Sequence, residues 1–248
     1  MAILRVSELE VKCDVLCLDK DGLLFDRYVF WEKLWLEREK ALSRSLGVVG
    51  LAELRGLMGV SDDHQVDPNG PLALAHPADE VCVTAAVLYR QKKVTWPEAL
   101  QLASAAFKTA DSRLDLQRVL RPRRGFPGIL YRAKEAGMQV AIVTSDDHER
   151  TLASLHFFGV DSLVDFVCTP ALVKRGKPQP DMLYYVANHF QVDVDRLVMI
   201  GDSLVDVQMA RQAGAPGIAI PYPENEGEFT DYLTVASLAD LGLYPNTN

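Results

Sequence analysis

Residues 15–26 read VLCLDKDGLLFD, an apolar run followed by two aspartates one residue apart and then by a glycine. The apolar run predicts a buried β-strand that ends at Asp19. Carboxylates at the edge of a protein interior repel each other and lose solvation, so Asp19 and Asp21 need a neighbouring cation, or one of them must hold a proton. The rest of the sequence has to provide that cation.

The composition is that of a soluble globular protein with one large domain, or with one domain and an insertion. The chain has 248 residues, of which 48% are hydrophobic and 24% are charged. The formal net charge of -8 disfavours both nucleic-acid binding and attachment to an anionic membrane surface, since each needs a basic patch. The sequence has neither an apolar stretch long enough for a membrane span nor a signal-peptide pattern, so we expect a cytoplasmic protein.

The four cysteines do not have the spacing of a zinc site. They are Cys13, Cys17, Cys82 and Cys168. We expect all four to be small core residues in a reducing compartment.

The hydrophobic pattern changes character twice along the chain. Residues 28 to about 120 carry helical signals only, with a helix stop predicted at Gly47 and a helix start at Thr95. From about residue 125 onward, strand and helix patterns alternate, which predicts a parallel, doubly wound sheet with right-handed crossovers. We therefore predict an α/β core domain formed by residues 1–26 and 121–248, with an all-helical domain inserted at residues 27–120.

Three predicted strands of the core domain end in polar residues, namely Asp19, Thr144 and Asp202. In an open parallel sheet, ligands bind at the carboxyl ends of the strands, so these residues should converge in space. Mg²⁺ prefers a few hard oxygen ligands, which Asp19 and Asp202 could provide. Asp21 need not share that metal through its side chain.

Two further residues are candidates for the same place. Asp206 lies four residues after Asp202, on the first turn of a predicted helix, where it could bind a metal, orient water molecules at the metal or simply cap the helix. Lys177 in GKPQPD, residues 176–181, leaves a rigid turn just before another helix. A lysine is usually a solvated surface charge, but beside clustered carboxylates Lys177 would be the counter-charge for a phosphoryl group.

Four short motifs together resemble those of the haloacid dehalogenase superfamily of phosphotransferases. They are DKDG at 19–22, VTSD at 143–146, GKPQPD at 176–181 and GDSLVD at 201–206. The resemblance implies a Rossmann-like core, and the helical block resembles the cap of the phosphoglycolate phosphatase and β-phosphoglucomutase branch. One departure is Leu23, where the family commonly has Thr or Val; we expect the chemistry to survive it, because that position serves packing.

The resemblance also implies a role for each site residue. Asp19 would be the nucleophile that forms an aspartyl-phosphate, and Asp21 would be the general acid and base. Thr144, Ser145 through its backbone N–H, and Lys177 would bind the phosphoryl oxygens. The implied Mg²⁺ ligands are Asp19, Asp21 through its backbone carbonyl, Asp202 and Asp206.

The resulting prediction is a Mg²⁺-dependent phosphatase that acts on a small phosphorylated metabolite. A sugar-phosphate mutase shares every motif and stays open, as does a catalytically silent protein that binds a phosphorylated ligand. Asp21 disfavours the dehalogenase and phosphonatase branches, and the chain is too long for a receiver-type signalling domain. Within the helical domain, the following residues are more consistent with packing or solvation than with a site: Arg27, Tyr28, Trp31, Arg55 and His64.

Overall fold

The computed structural model describes residues 2–245 and divides into two compact units. The first, here called the α/β unit, contains the chain up to Asp26 and from Pro122 onward. The second, here called the helical unit, is Arg27–Arg121. We propose that these units are the core and cap domains expected from the sequence.

Strands and helices follow one another along the chain much as the hydrophobic pattern predicts. The strands are β1 (Ala2–Val6), β2 (Leu9–Cys13), β3 (Val15–Leu18), β4 (Gln139–Val143), β5 (Phe166–Cys168), β6 (Leu197–Gly201), β7 (Gly217–Ala219), β8 (Leu233–Thr234) and β9 (Gly242–Pro245). The α-helices are α1 (Arg27–Leu57), α2 (Pro71–Leu74), α3 (Pro77–Lys92), α4 (Trp96–Arg113), α5 (Leu116–Val119), α6 (Gly128–Glu135), α7 (His148–Phe157), α8 (Asp181–Phe190) and α9 (Leu204–Ala213).

A parallel sheet forms the centre of the α/β unit. Among residues 2–245 it has six strands in the order β5-β4-β3-β6-β7-β8. The chain first builds outward from β3 through β4 to β5, and then returns to the other side of β3 with β6 and β7. This reversal confirms the predicted doubly wound α/β fold and creates a crevice between neighbouring strand ends.

The central strands are continuous apolar runs because helices cover the sheet. Every residue of β3 and β6 is buried, and so are all residues of β4 after Gln139. Helices α6 and α8 pack against β4, and α9 packs against β6 and β7. Strands buried on both faces lose the alternation of polar and apolar residues, which is the pattern of this sequence.

A second sheet in the α/β unit was not predicted. Strands β1, β2 and β9 form an antiparallel sheet with β1 in the middle, so that Ala2 pairs with both Cys13 and Pro245. It joins the two ends of the described chain, and its strands β1 and β2 directly precede the central strand β3 in sequence.

The helical unit is built from α1, α3 and α4, which pack on one another. Thr95 and Glu98 form a capping box at the start of α4, which confirms the predicted helix start. At the predicted helix stop, Gly47 has the non-helical angles φ 63° and ψ -173°, so two helical segments meet there at a kink within α1, which confirms that the first segment stops at this residue. No helix within residues 2–245 combines the length and the apolar character needed to cross a membrane.

The cysteine prediction is correct for three residues and wrong for one. Cys13, Cys17 and Cys168 are buried, and burial raises the pKa of Cys13 and of Cys168 to about 12, so these thiols stay protonated at neutral pH. Cys82 is exposed. It lies midway between the buried positions Glu80 and Thr84 of α3, a spacing that points it to the opposite side of the helix.

A buried ion pair inside the helical unit gives the first prediction. The Arg38 guanidinium binds the Glu80 carboxylate and lies 4.0 Å from the centre of the Phe107 ring. Arg38→Met leaves the Glu80 carboxylate buried without this partner, so we expect the free energy of unfolding to fall by about 3–5 kcal/mol. The double variant Arg38→Met/Glu80→Met should recover most of the loss, because it removes both charges.

Urea denaturation followed by tryptophan fluorescence measures this loss in the relevant unit, since Trp31, Trp35 and Trp96 all lie in the helical unit. The control is Lys40→Met, which removes an exposed ion pair with Glu37 and should change stability by less than about 0.5 kcal/mol. Equal stability of Arg38→Met and Lys40→Met would contradict the prediction.

Candidate active site

Three of the sequence-predicted site residues directly follow neighbouring strands of the parallel sheet. Asp19 follows β3, Thr144 follows β4, and Asp202 follows β6. The backbone N–H of Asp19 donates to the Ile200 carbonyl at 2.9 Å, which ties the first loop to β6. The fold thus places these residues at one edge of the sheet, where the strand order reverses.

A group of buried charges surrounds Asp19, and we call it the Lys177 cluster: Asp19, Lys177, Asp202 and Asp206. Each of the three aspartates offers a carboxylate oxygen within 4.8 Å of the other two. The Lys177 ammonium lies 2.6 Å from Asp19 Oδ1 and 2.6 Å from Asp206 Oδ1. If all four groups are ionised, the cluster carries two excess negative charges, and such an excess is costly in a buried place.

Burial and charge act against each other on the ionisation of this cluster. Burial raises the pKa of Asp19 well above its ordinary value; Lys177 opposes the rise, and the two other carboxylates add to it. Burial also disfavours the charged form of Lys177, but the attraction of Asp19 and Asp206 outweighs it and raises the pKa of the lysine. Lys177 is therefore a cation at neutral pH, while the net effect of the surroundings disfavours the ionised form of Asp19.

Asp206 occupies the first turn of α9, as the sequence predicts, and both of its carboxylate oxygens have contacts. Oδ1 faces Lys177, while Oδ2 accepts hydrogen bonds from the Ser203 hydroxyl at 2.6 Å and from the Ser203 N–H at 3.2 Å. These bonds form a capping box that fixes the turn carrying Asp202. Asp206 thus links Lys177 to the start of α9.

Asp21 belongs to a different group of charges, which we call the Lys20 cluster: Lys20, Asp21, Asp146 and Arg150. Lys20 Nζ lies 2.7 Å from Asp21 Oδ1 and 2.8 Å from Asp146 Oδ2. Asp146 Oδ1 in turn accepts from Arg150 Nε at 2.8 Å. Two carboxylates and two cations balance in this cluster.

The Lys20 cluster gives its members different proton affinities. Burial raises the pKa of Asp21, although Lys20 opposes the rise. Burial acts in the same direction on Asp146, but Lys20 and Arg150 outweigh it and lower the pKa of that carboxyl below its usual range. Asp146 is therefore a fixed anion, whereas Asp21 is the carboxyl of the pair that binds a proton more readily.

Sequence reasoning missed Lys20, Asp146 and Arg150 as partners of Asp21. One signal was present: Asp146 and Arg150 are four residues apart in the segment that leads into the helix predicted at 151–160, a spacing that brings two side chains together once helical structure begins. No comparable signal marks the contact of Lys20 with Asp146, because only the pairing of β3 with β4 brings the two loops together.

Thr144 is buried and its hydroxyl oxygen accepts the Asp146 N–H at 3.1 Å. Its own hydroxyl hydrogen is not used in that bond and can donate to another oxygen. Ser145 follows it and is partly exposed. Arg123, which sequence reasoning also missed, donates to the carbonyl of Gly22 and, at 3.3 Å, to that of Ile220, which secures the turn after Asp21.

The residues of the Lys177 cluster fit a divalent metal ion. Their donors are buried carboxylate oxygens, the ligands that Mg²⁺ prefers, and their excess negative charge matches its charge. The backbone keeps room for these groups: a Cβ atom at Gly22 would lie 2.1 Å from Asp202 Oδ2, and one at Gly201 would lie 2.2 Å from Asp206 Oδ2. A side chain at either glycine would displace a donor.

Comparison with known families and proteins identifies the family of the chain and several relatives. The family model for haloacid dehalogenase-like hydrolases matches residues 13–214. A phosphoglycolate phosphatase of Thiobacillus denitrificans is 32% identical over 127 residues, covering 48% of this chain and 56% of that protein. One of Nitrosospira multiformis is 31% identical over 107 residues, covering 42% and 47%. The chain thus spans about half the length of these curated relatives.

A solved structure shares the fold over a larger part of the chain. The crystal structure of CbbY from Rhodobacter sphaeroides in complex with phosphate aligns with a TM-score of 0.64 at 19% identity. The alignment covers 92% of this chain and 95% of CbbY.

The close approach of Gly22 to Asp202 gives the second prediction. Gly22 and Gly137 both have positive φ, 92° and 75°, so alanine at either position costs about 1–2 kcal/mol of backbone strain. Nothing lies within 4 Å of a Cβ at Gly137, whereas Gly22→Ala must also displace Asp202 and should cost about 1–3 kcal/mol more. Urea denaturation followed by circular dichroism compares the two variants, and equal losses would contradict the prediction.

Proposed function

The chain belongs to the haloacid dehalogenase-like hydrolases, and from this we propose that it is a Mg²⁺-dependent phosphatase. It would hydrolyse a small phosphomonoester through an aspartyl-phosphate intermediate on Asp19. The observation that carries the proposal is the different placement of the two aspartates of DKDG: Asp19 lies in the acidic Lys177 cluster, while Asp21 lies in the balanced Lys20 cluster.

In the first step, a carboxylate oxygen of Asp19 attacks phosphorus in line with the leaving group. The new bond joins Asp19 to phosphorus, and the bond from phosphorus to the ester oxygen breaks with its electron pair on that oxygen. Asp21, whose pKa burial raises, donates a proton to the departing oxygen, so that an alcohol leaves rather than an alkoxide. This step needs Asp19 ionised and Asp21 protonated, a division of roles between two carboxyls in different surroundings.

In the second step, water attacks the phosphorus of the aspartyl-phosphate. Asp21, now ionised, takes a proton from that water as it attacks, and the bond between phosphorus and Asp19 breaks. Inorganic phosphate leaves, and both carboxyls return to their starting states. Two easier displacements thereby replace one difficult displacement.

Three residues are proposed to hold the transferred phosphoryl group. Lys177 would contribute its permanent charge, Thr144 its hydroxyl hydrogen, and Ser145 its backbone N–H. Phosphoryl transfer depends mostly on positioning and charge stabilisation, so such donors carry much of the rate enhancement. Lys177 is already held by Asp19 and Asp206, which supports a fixed position for its ammonium group.

The proposed metal site consists of Asp19, Asp202, Asp206 and the backbone carbonyl of Asp21. Bound there, Mg²⁺ would neutralise the excess charge of the Lys177 cluster, keep Asp19 ionised and stabilise the charge on the phosphoryl oxygens. The support for this assignment is the buried acidic donor set and its excess of negative charge.

The two curated relatives support a small phosphorylated acid as the first substrate to try. Both are named phosphoglycolate phosphatases, and each matches this chain over about half of its own length. We therefore propose a small phosphomonoester as the substrate class, with 2-phosphoglycolate at the head of the test panel and sugar phosphates and nucleoside monophosphates beside it.

Phosphate release from this panel is the test of the proposed activity. We expect release with Mg²⁺ and a loss of more than about 10⁴-fold in kcat/KM for Asp19→Asn, since the nucleophile is removed. EDTA should have a comparable effect. Asp231→Asn is the matched control, because it removes an exposed carboxylate of the same unit and should leave the rate unchanged.

The contrary outcomes separate the alternatives. Absence of release from every ester, with transfer of phosphate between positions of a sugar phosphate, would replace the phosphatase by a mutase. Absence of both reactions in the folded protein with Mg²⁺ would leave a protein that binds a phosphorylated ligand without turnover.

Metal binding can be tested without any substrate. A ligand that binds the folded state alone stabilises it, by about 2.7 kcal/mol at a concentration about 100 times its Kd. We expect Mg²⁺ to raise the melting temperature of the wild type and to have little effect on Asp202→Asn, which lacks a ligand. The measurement is thermal unfolding with Mg²⁺ or with EDTA, and an equal Mg²⁺ shift in both proteins would refute the assigned site.

A further inference from the structure

Lys20 is a buried cation inside the motif that carries the proposed chemistry. It stands between Asp19 and Asp21 in sequence, and its side chain is 0% exposed. A buried ammonium group is costly unless charged partners surround it. The two carboxylates of the Lys20 cluster, Asp21 and Asp146, meet that need at 2.7 and 2.8 Å.

Asp146, the second carboxylate that contacts Lys20, is itself held in place. Asp146 Oδ1 accepts from Arg150 Nε at 2.8 Å, from Arg150 Nη2 at 2.5 Å and from the Asp147 N–H at 2.7 Å. Arg150 belongs to the first turn of α7, so its position is set by a helix. A chain of charge contacts therefore runs from Asp21 through Lys20 and Asp146 to a rigid element.

The backbone beneath Asp21 is equally restrained. The Lys20 carbonyl accepts from the N–H of Leu24 at 2.9 Å and from that of Phe25 at 3.3 Å, and the Gly22 N–H donates to the Phe25 carbonyl at 2.8 Å. With the backbone fixed, the freedom left to Asp21 is rotation of its side chain. The contact of Oδ1 with Lys20 restrains that rotation.

We propose that Lys20 is a positioning residue that holds the Asp21 carboxyl in the direction from which it protonates the leaving group. The inference rests on the proposed function, in which Asp21 is the general acid and base. Lys20 keeps Asp21 on the side of β4 and α7, apart from the Lys177 cluster, so that the two aspartates of DKDG do not compete for one cation. An apolar residue at position 20 would leave the buried Asp146 and the partly buried Asp21 without this ammonium group.

The test uses the dependence of the rate on the leaving group. An alkyl phosphate expels a poor leaving group that needs the proton of Asp21, whereas p-nitrophenyl phosphate expels a good one that does not. The ratio of kcat/KM for the two esters measures protonation in the first step. Because a general acid contributes about 10²–10⁴-fold, Lys20→Met should lower kcat/KM for the alkyl ester by about 10²-fold and for p-nitrophenyl phosphate much less.

Three further variants show whether the unequal loss for the two esters is specific to the positioning of Asp21. Asp21→Asn should show the same pattern with a larger loss, since it removes the acid itself. Lys20→Arg keeps the charge and should restore most of the alkyl ester activity. Lys134→Met is the matched control, because it removes another lysine of the α/β unit, paired with Asp165, and should leave the ratio unchanged.

A second substitution separates the effect of Lys20→Met on activity from its effect on stability. Lys20→Met leaves the buried Asp146 carboxylate and the partly buried Asp21 carboxylate without their shared ammonium group, which costs folding energy. Lys20→Met/Asp146→Asn removes one of those carboxylates while still lacking the positioning lysine, so it should fold better and show the same loss for the alkyl ester. If the single variant does not fold, the double variant decides the question.

The outcomes distinguish this inference from the proposed function. An equal loss for both esters, or faster turnover of the alkyl ester, in the folded variant would overturn the role of Lys20 while phosphatase activity dependent on Asp19 stands. If the wild type releases no phosphate, or releases it without Asp19, the proposed function itself is wrong, and the positioning role falls with it.

Discussion

The separation of Asp19 from Asp21 is the constraint on which the rest of the site depends. The two carboxyls are one residue apart, yet each has its own lysine: Lys177 lies 2.6 Å from Asp19, and Lys20 lies 2.7 Å from Asp21. One cluster keeps an excess of negative charge, and the other is balanced. Two aspartates separated by a single residue can therefore hold different protonation states in the same crevice. A nucleophile and a general acid require such a difference.

The parallel sheet provides this separation, because it brings two distant segments to the end of β3. The turn carrying Asp202 arrives on β6, on one side, and Asp146 arrives just after β4, on the other. The side chains of Asp19 and Asp21 thus meet different neighbours although the residues almost touch in sequence. The strand order reverses at β3, so β3 has a neighbouring strand on each side, and each aspartate can contact a different one of the two segments.

Much of this arrangement could be predicted from the sequence because it depends on local signals. Apolar runs indicated the central strands, and polar residues after them indicated the edge where the charges meet. The Lys20 cluster could not be predicted in that way, because the contact of Lys20 with Asp146 joins two loops that only strand pairing brings together. The antiparallel sheet could not be predicted for a similar reason, because β9 pairs with β1 across almost the whole chain. In addition, four of the five residues of β2 are at least partly exposed, so β2 has no apolar run that would indicate a strand.

The packing of the two acidic segments against each other explains why the motifs have glycine at positions 22 and 201. Gly22 follows the first aspartate pair, and the space that its side chain would occupy is filled by the Asp202 carboxylate. Gly201 precedes Asp202, and its space is filled by the carboxylate of Asp206. Gly22 therefore makes room for an acid from another loop, and Gly201 for an acid from the helix that follows it, so the carboxylates can approach closely only because both glycines lack a Cβ atom. The same close packing that makes the negative charges costly also makes the cluster a fitting place for a divalent cation.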